Sequence, residues 1–265
     1  MQKGKQIPSY LIILACLLFL YLPIVIMMLF SFNSTKSTSV FTGFSLTWYQ
    51  TLFKDREMMK AVYVSVSIAI IATAVSTALG TITAIGLSKS KRMIRELILQ
   101  VNNLSILNPE IVTAISLMLL FSALSISKGY MTLLIAHISF CTPFVITNVL
   151  PKVRQLDSNL AEAAMDLGAT PFQALWKVIV PQIKPGILAG ALLAFTMSFD
   201  DFIISYFVTG NGVQNISIIV YNMAKRTNPS INALSTIIVL TIMLILFVSH
   251  IIPIISKKRK GVGTK

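Results

Sequence analysis

Long apolar runs dominate this sequence and constrain its fold more than any other feature. Each of these runs reaches the roughly 20 residues that a helix needs to cross a bilayer. They cover about residues 9–32, 61–88, 97–124, 130–150, 186–208 and 232–255. Only 12% of the residues are charged, against about 25% in typical soluble domains. The pattern therefore predicts an all-α membrane protein in which residues 1–265 form a single transmembrane domain of six helices.

The basic residues that flank these runs predict an orientation. The chain has 22 Lys and Arg residues, and about twice as many lie on the side of the two termini as on the opposite side. Because Lys and Arg concentrate in cytoplasmic loops, both termini are expected in the cytoplasm, with the chain crossing the membrane several times. This topology accounts for the net charge of +13, so the lipid bilayer is expected as a partner and nucleic acid is not.

Acidic residues within the apolar runs are the main chemical signal. Glu110 lies in the third run and Asp200 and Asp201 in the fifth, whereas none of the six runs contains Lys or Arg. An Asp at the centre of a spanning helix costs roughly 2.5–3.5 kcal/mol on insertion scales, so these acids need water, hydrogen bonds or a bound cation. A group of acids without a fixed base suits a cationic cargo. The alternative is that the acids are protonated or hydrogen-bonded inside the bundle.

The neighbours of the two aspartates refine this predicted pathway. On one continuous helix, adjacent residues point about 100° apart. One aspartate can then face a narrow pathway while the other faces a partner subunit or caps a kink. Phe199, Phe202 and Tyr206 flank the pair and offer aromatic faces that attract organic cations.

The segment between the fourth and fifth runs carries signals for two short helices within about 157–181. Asp157, Ser158 or Asn159 can cap the first helix, and Gly168 supplies the left-handed residue after it. Thr170-Pro171 is a second start signal, and Pro181 and Pro185 predict the end of that helix. From the pattern alone, this pair either seals the cytoplasmic face of the bundle or docks onto a protein.

The same segment resembles a known motif. Glu162-Ala163-Ala164, followed by Gly168 and by a proline thirteen residues later, is similar to the EAA motif of ABC importer permeases. That family pattern ends in I-x-L-P, and this chain has Val178-Ile179-Val180-Pro181 at the corresponding place. The resemblance implies a MetI-like bundle whose cytoplasmic coupling helices place Glu162, Ala163, Ala164 and Gly168 against an ATPase subunit.

Further segments resemble the second-permease family of spermidine/putrescine importers. They are Ser31-Phe32-Asn33, Asn108-Pro109-Glu110-Ile111-Val112, His137-Ile138-Ser139-Phe140-Cys141, Ser198-Phe199-Asp200-Asp201 and the Phe207-Val208-Thr209-Gly210 segment. The resemblance implies polyamine uptake across the bacterial plasma (inner) membrane, together with a homologous second permease, two ATPase subunits and an extracytoplasmic binding protein. The chain has no GxxxxGKS or GxxxxGKT sequence, so we expect it to be no enzyme and to bind no cofactor, with ATP and Mg on the ATPase.

Other functions are compatible with the residue pattern. An ABC permease could carry another small organic cation or solute. An ion-coupled carrier or cation channel could use the acids directly, although such carriers often contain inverted repeats and none is evident here. A membrane aspartyl protease ranks last, because a catalytic dyad needs two facing carboxylates and adjacent residues on one helix diverge.

Overall fold

A computed structural model describes residues 6–37, 39–157, 159–210, 212–224 and 228–261. Lys3, Lys5 and the candidate cap Ser158 lie outside these residues. The described chain is helical and contains no strand beyond one isolated bridge between Asn33 and Phe44. This agrees with the predicted all-α class.

The helices follow one another along the described chain, with the longest connection between α1 and α2. They are α1 Gln6–Phe30, α2 Thr47–Lys54, α3 Arg56–Lys89, α4 Arg92–Leu107, α5 Glu110–Ala123, α6 Tyr130–Arg154, α7 Leu160–Asp166, α8 Pro171–Ala174, α9 Val180–Asp200, α10 Ile203–Val208, α11 Ile216–Ala224 and α12 Ser230–Gly261. One wide π-helical turn, Leu175–Ile179, joins α8 to α9.

Length and apolar composition identify the helices that can cross a membrane. The described residues contain four such helices, Tyr10–Phe30, Arg56–Lys89, Tyr130–Arg154 and Pro171–Asp200, or five if α4 and α5 count as one bent span. A shorter apolar helical segment, Ser230–Leu244, begins α12. These helices are compatible with the six predicted spans, and the count of six stays a prediction.

The third predicted span, 97–124, is not one straight helix. It consists of α4 and α5, whose axes differ by 105°. Asn108 and Pro109 between them both have extended backbone, with ψ of 133° and 131°. Proline disfavours the helical conformation of the residue before it and donates no backbone hydrogen bond. Asn108 and Pro109 mark the interruption already in the sequence. The sequence does not predict the angle of the bend, because α5 also packs against α10, which lies far away along the chain.

The fifth predicted span, 186–208, has different bounds in the structure. Its helix runs from Pro171 to Asp200, so the prediction that Pro181 and Pro185 end the second cytoplasmic helix is wrong. The π turn explains the continuity, because Val180 donates to the carbonyl of Leu175, five residues back. This wider turn gives space to the ring of Pro181 and changes the hydrogen-bond register where proline cannot donate.

The chain divides into two compact units. The first comprises Met1–Met59 and Val220–Lys265, and in it α12 contacts α1 and α2. The buried side chain of Asn33 organises the connection between α1 and α2. Its amide donates to the carbonyls of Ser37 and Val40, both at 2.9 Å, and its Oδ1 accepts from the Thr42 backbone at 2.8 Å.

The second unit, Lys60–Ile219, is built around α6. Glycines allow its neighbours to approach closely: a Cβ on Gly80 of α3 would lie 2.6 Å from the Val145 side chain, and a Cβ on Gly190 of α9 would lie 3.2 Å from the Val145 Cα. The resulting core includes Val145, Val149 and Ile183, all fully buried. Small residues at helix contacts are the usual means of close packing in membranes.

Candidate functional site

The predicted acidic site coincides with a break in the helix that carries it. Helix α9 ends at Asp200, Asp201 has extended backbone with φ −59° and ψ 127°, and α10 begins at Ile203. The sequence predicts that both aspartates lie on one continuous helix. In the structure α9 ends at Asp200, and Asp201 lies at the start of the break. The φ of Asp201 is still helical and the backbone leaves the helix only after its Cα, so the two side chains diverge by about 100° as neighbours on a helix do.

Asp201 is the buried member of the pair. Its Oδ1 accepts from the backbone N–H of Ile204 at 3.1 Å, and its Oδ2 accepts from the backbone and hydroxyl of Ser205 at 2.8 and 2.7 Å. The carboxylate thus satisfies N–H groups that a helix start leaves without intrahelical partners. Asp201 caps the break, one of the two roles considered for an aspartate facing away from the pathway.

His137 of α6 completes the surroundings of this carboxylate. Its Nε2 lies 3.4 Å from Asp201 Oδ2 and 3.1 Å from Ser205 Oγ, and its Nδ1 lies 2.7 Å from Ser198 Oγ. The side chains of His137 and Asp201 are 2% and 0% exposed. Both ring nitrogens therefore have polar partners inside the protein, and His137 is one of the polar groups that a buried carboxylate needs around it.

Asn215, just before α11, holds the other side of the break. Its amide donates to the backbone carbonyl of Asp201 at 2.9 Å and to Ser205 Oγ at 2.8 Å. The next backbone N–H, that of Ile216, donates to Ser65 Oγ on α3 at 2.8 Å. Asn215 thus ties the residues before α11 to the break, and Ser65 ties the first residue of α11 to α3.

Asp200 and Glu110 are the accessible acids. Asp200 is exposed at the end of α9, and Glu110 is partly exposed in the first turn of α5. The Glu110 carboxyl interacts electrostatically with both aspartates and by a side-chain hydrogen bond with Asp201, because α5 packs against α10. Among the described residues, no Lys or Arg forms an ion pair with these three acids. The structure therefore brings together the three acids that the sequence singled out.

The predicted aromatic neighbours lie on both sides of the break. Phe199 stacks on Phe195 with ring centroids 5.8 Å apart, and Phe202 packs against Tyr206 at 5.5 Å. Tyr206 is about half exposed. The exposed aromatic surface next to Asp200 suits an organic cation, for which ring faces and carboxylates are complementary contacts.

The predicted coupling segment folds into α7, a tight turn and α8. Gly168 has φ +88°, and the backbone N–H of Ala169 donates to the carbonyl of Ala164 at 3.1 Å, which is the expected glycine termination of a helix. Thr170 then caps α8 and exchanges hydrogen bonds with Gln173 in a capping box. Both local start and stop predictions are confirmed.

The side chains of this segment separate into an inner and an outer set. Leu160, Ala161, Leu175 and Ile179 turn inward, whereas Leu167, Phe172 and Trp176 are 91%, 70% and 56% exposed. Of the EAA residues, Glu162, Ala163 and Gly168 are exposed and Ala164 is half-buried. We call Glu162, Ala163, Gly168, Leu167, Phe172 and Trp176 the coupling surface.

Sequence reasoning did not assign His137, Ser205 and Asn215 to the site. From the sequence, His137 is named only as part of a segment that carries the family resemblance. The sequence did contain one signal for these residues. Several polar residues lie in the same apolar runs, and buried polar groups need hydrogen-bond partners. Which residues pair is a long-range property, since His137 and Asp201 lie far apart in sequence.

Solved structures with the same architecture define the class of protein. A bacterial ABC transporter involved in the import of the acidic polysaccharide alginate matches with a TM-score of 0.71 and 18% identity, covering 95% of each chain. A complex of a bacterial alginate ABC transporter with its pentasaccharide-bound periplasmic protein matches with a TM-score of 0.67 and 15% identity, covering 94% of this chain and 96% of that one. The fold is that of an ABC importer permease.

Sequence relatives place the chain within this class. A family described as the binding-protein-dependent transport system inner membrane component matches residues 76–260, and the chain belongs to this family. The Escherichia coli K12 putrescine transport system permease protein PotI is 37% identical over 87% of this chain and 85% of its own length. The Shigella flexneri spermidine/putrescine transport system permease protein PotC is 35% identical over 92% of both chains.

Proposed function

We propose that this chain is a membrane-spanning permease subunit of an ATP-driven polyamine importer. The observation that carries the proposal is its identity of 35–37% over most of its length to permeases named for putrescine and spermidine transport. The acidic cluster supports the same substrate class. Polyamines are flexible polycations, and Asp200 and Glu110 offer carboxylates without a competing basic side chain among the described residues.

The proposed importer requires subunits that this chain does not supply. A homologous second permease would complete the pathway, an extracytoplasmic binding protein would deliver the polyamine, and two ATPase subunits would bind ATP and Mg. The exposed coupling surface supports ATPase docking. Leu167, Phe172 and Trp176 present apolar area to solvent, which is typical of a protein interaction site. The distribution of Lys and Arg supports cytoplasmic termini and a cytoplasmic coupling surface.

Transport by the reconstituted complex tests this proposal. Proteoliposomes containing this permease, its partner permease and the ATPase, supplied with binding protein, should accumulate radiolabelled spermidine or putrescine only with ATP. Asp200→Asn and Glu110→Gln should each reduce uptake about tenfold or more, because a desolvated charge contact is lost at the pathway. Glu57→Gln is the matched control, since Glu57 is exposed in the first turn of α3, away from the predicted pathway acids in sequence.

The outcomes separate the candidate functions. Uptake by this chain alone, without ATP, would favour an ion-coupled carrier and contradict the proposal. ATP-dependent uptake of a different organic cation, with no polyamine uptake, would support the permease role and contradict polyamines as the substrate. Unchanged uptake by the Asp200→Asn and Glu110→Gln variants would show that these carboxylates are not part of the pathway.

A further inference from the structure

We propose that His137 is a positioning residue that holds Asp201 as a buried support, leaving Asp200 and Glu110 to contact the cargo. This rests on the proposed function in so far as it concerns transport, whereas the internal pairing can be tested without a substrate. The three acids of the cluster then have two different roles. Asp201 fixes the shape of the helix break, and its two neighbours supply the accessible negative charge.

The hydrogen atoms available around Ser205 determine that Nε2 of His137 carries a hydrogen. The Ser205 hydroxyl has a single hydrogen, which it donates to Asp201 Oδ2 at 2.7 Å. Its oxygen accepts from the Asn215 amide at 2.8 Å, since that amide nitrogen can only donate. The remaining contact, from His137 Nε2 at 3.1 Å, therefore needs a hydrogen on Nε2.

The same counting extends to the second ring nitrogen. With Nε2 protonated, a neutral His137 has a lone pair on Nδ1, and the Ser198 hydroxyl at 2.7 Å can donate to it. Every member of the chain from Ser198 to His137 to Ser205 to Asp201 then has a compatible partner. Complete buried networks of this type fix a single local arrangement.

The network also explains why Asp201 cannot serve the cargo as Asp200 does. Its carboxylate already accepts from two backbone N–H groups and the Ser205 hydroxyl, and its side chain is 0% exposed. Asp200 precedes it as the last residue of α9 and is exposed. Holding Asp201 inward therefore sets the direction of Asp200 at the end of α9.

A double-mutant cycle on the purified complex tests the pairing. His137→Leu should lower the thermal denaturation midpoint by at least about 5 °C, because it leaves a buried carboxylate without one of its polar partners. Asp201→Asn removes the charge that needs this partner. The combined variant should therefore denature near the temperature of the less stable single variant. A fully additive loss would overturn the pairing.

Two further variants serve as controls for this cycle. Asn102→Ala removes a buried polar side chain that bonds Pro143 and Thr147 instead, so its effect should add to that of His137→Leu. His137→Gln keeps a hydrogen-bond donor and should retain more stability and uptake than His137→Leu. Equal losses for the Gln and Leu variants would argue for packing alone and against the proposal.

Nitrogen NMR of the ring gives a readout that packing does not affect. The chain has two histidines, so His250→Gln leaves His137 as the only one in this subunit. With ¹⁵N-histidine supplied only to this subunit, the spectrum should show a protonated Nε2, and an unprotonated Nε2 would overturn the hydrogen count. Failure of polyamine uptake by the wild-type complex would reject the proposed function while leaving the stability and NMR results to decide the pairing.

Discussion

At the scale of single residues, Gly80 and Gly86 share helix α3 but have very different surroundings. A Cβ on Gly80 would lie 2.6 Å from the Val145 side chain, whereas a Cβ on Gly86 would meet nothing within 4 Å. Gly80→Ala should therefore overpack the contact with α6 and cost about 1–3 kcal/mol. Gly86→Ala should be neutral or stabilise by up to about 1 kcal/mol through helix propensity. Thermal denaturation of the purified complex measures both, and equal midpoints would contradict the tight α3–α6 contact.

Residue identity predicted local conformation better than it predicted partners. Gly168 and Thr170 were assigned correctly because a helix stop and a capping box depend on residues within a few positions of one another. The role of Asp201 was left open because its partner His137 belongs to another helix. Asp200 and Asp201 look equivalent in the sequence, and only the packing around the end of α9 makes one exposed and the other buried.

At the scale of elements, the segment from α7 to the π-helical turn after α8 presents the coupling surface. Phe172→Ala should weaken ATPase docking, because this exposed ring packs against exposed Trp176 with centroids 6.0 Å apart and would supply apolar area at the interface. We expect at least about a tenfold loss of ATP-dependent uptake, with the permease pair still assembled. Phe19→Ala, which changes an exposed ring of the apolar helix α1, is the control.

Co-purification of the ATPase provides the corresponding measurement. Phe172→Ala should reduce the amount of ATPase retained on the tagged permease, and Phe19→Ala should not. Full retention and uptake by the Phe172 variant would remove this side chain from the interface. The cap, glycine and proline signals of this segment predicted both helices. They did not show that Phe172 and Trp176 turn outward, because local signals do not distinguish a core contact from a partner contact.

At the scale of the whole molecule, the distribution of basic residues predicts which loops are cytoplasmic. In a variant with Cys16→Ser and Cys141→Ala, the chain has no native cysteine. Lys54→Cys and Asp166→Cys then place single thiols at exposed positions of α2 and α7. A membrane-impermeant maleimide should label the first in intact spheroplasts and the second only after the inner membrane is permeabilised. The reverse labelling pattern would show that the topology is opposite to the predicted one.

The continuous helix from Pro171 to Asp200 has a mechanical consequence. Its 30 residues correspond to a rod of roughly 45 Å, with Phe172 and Trp176 near one end and Asp200 as the last residue of the other. In the proposed importer this helix joins the coupling surface to Asp200, so a movement carried along it links nucleotide state and cargo occupancy thermodynamically. Reciprocity then requires that polyamine change the affinity for ATP by the same factor by which ATP changes the affinity for polyamine.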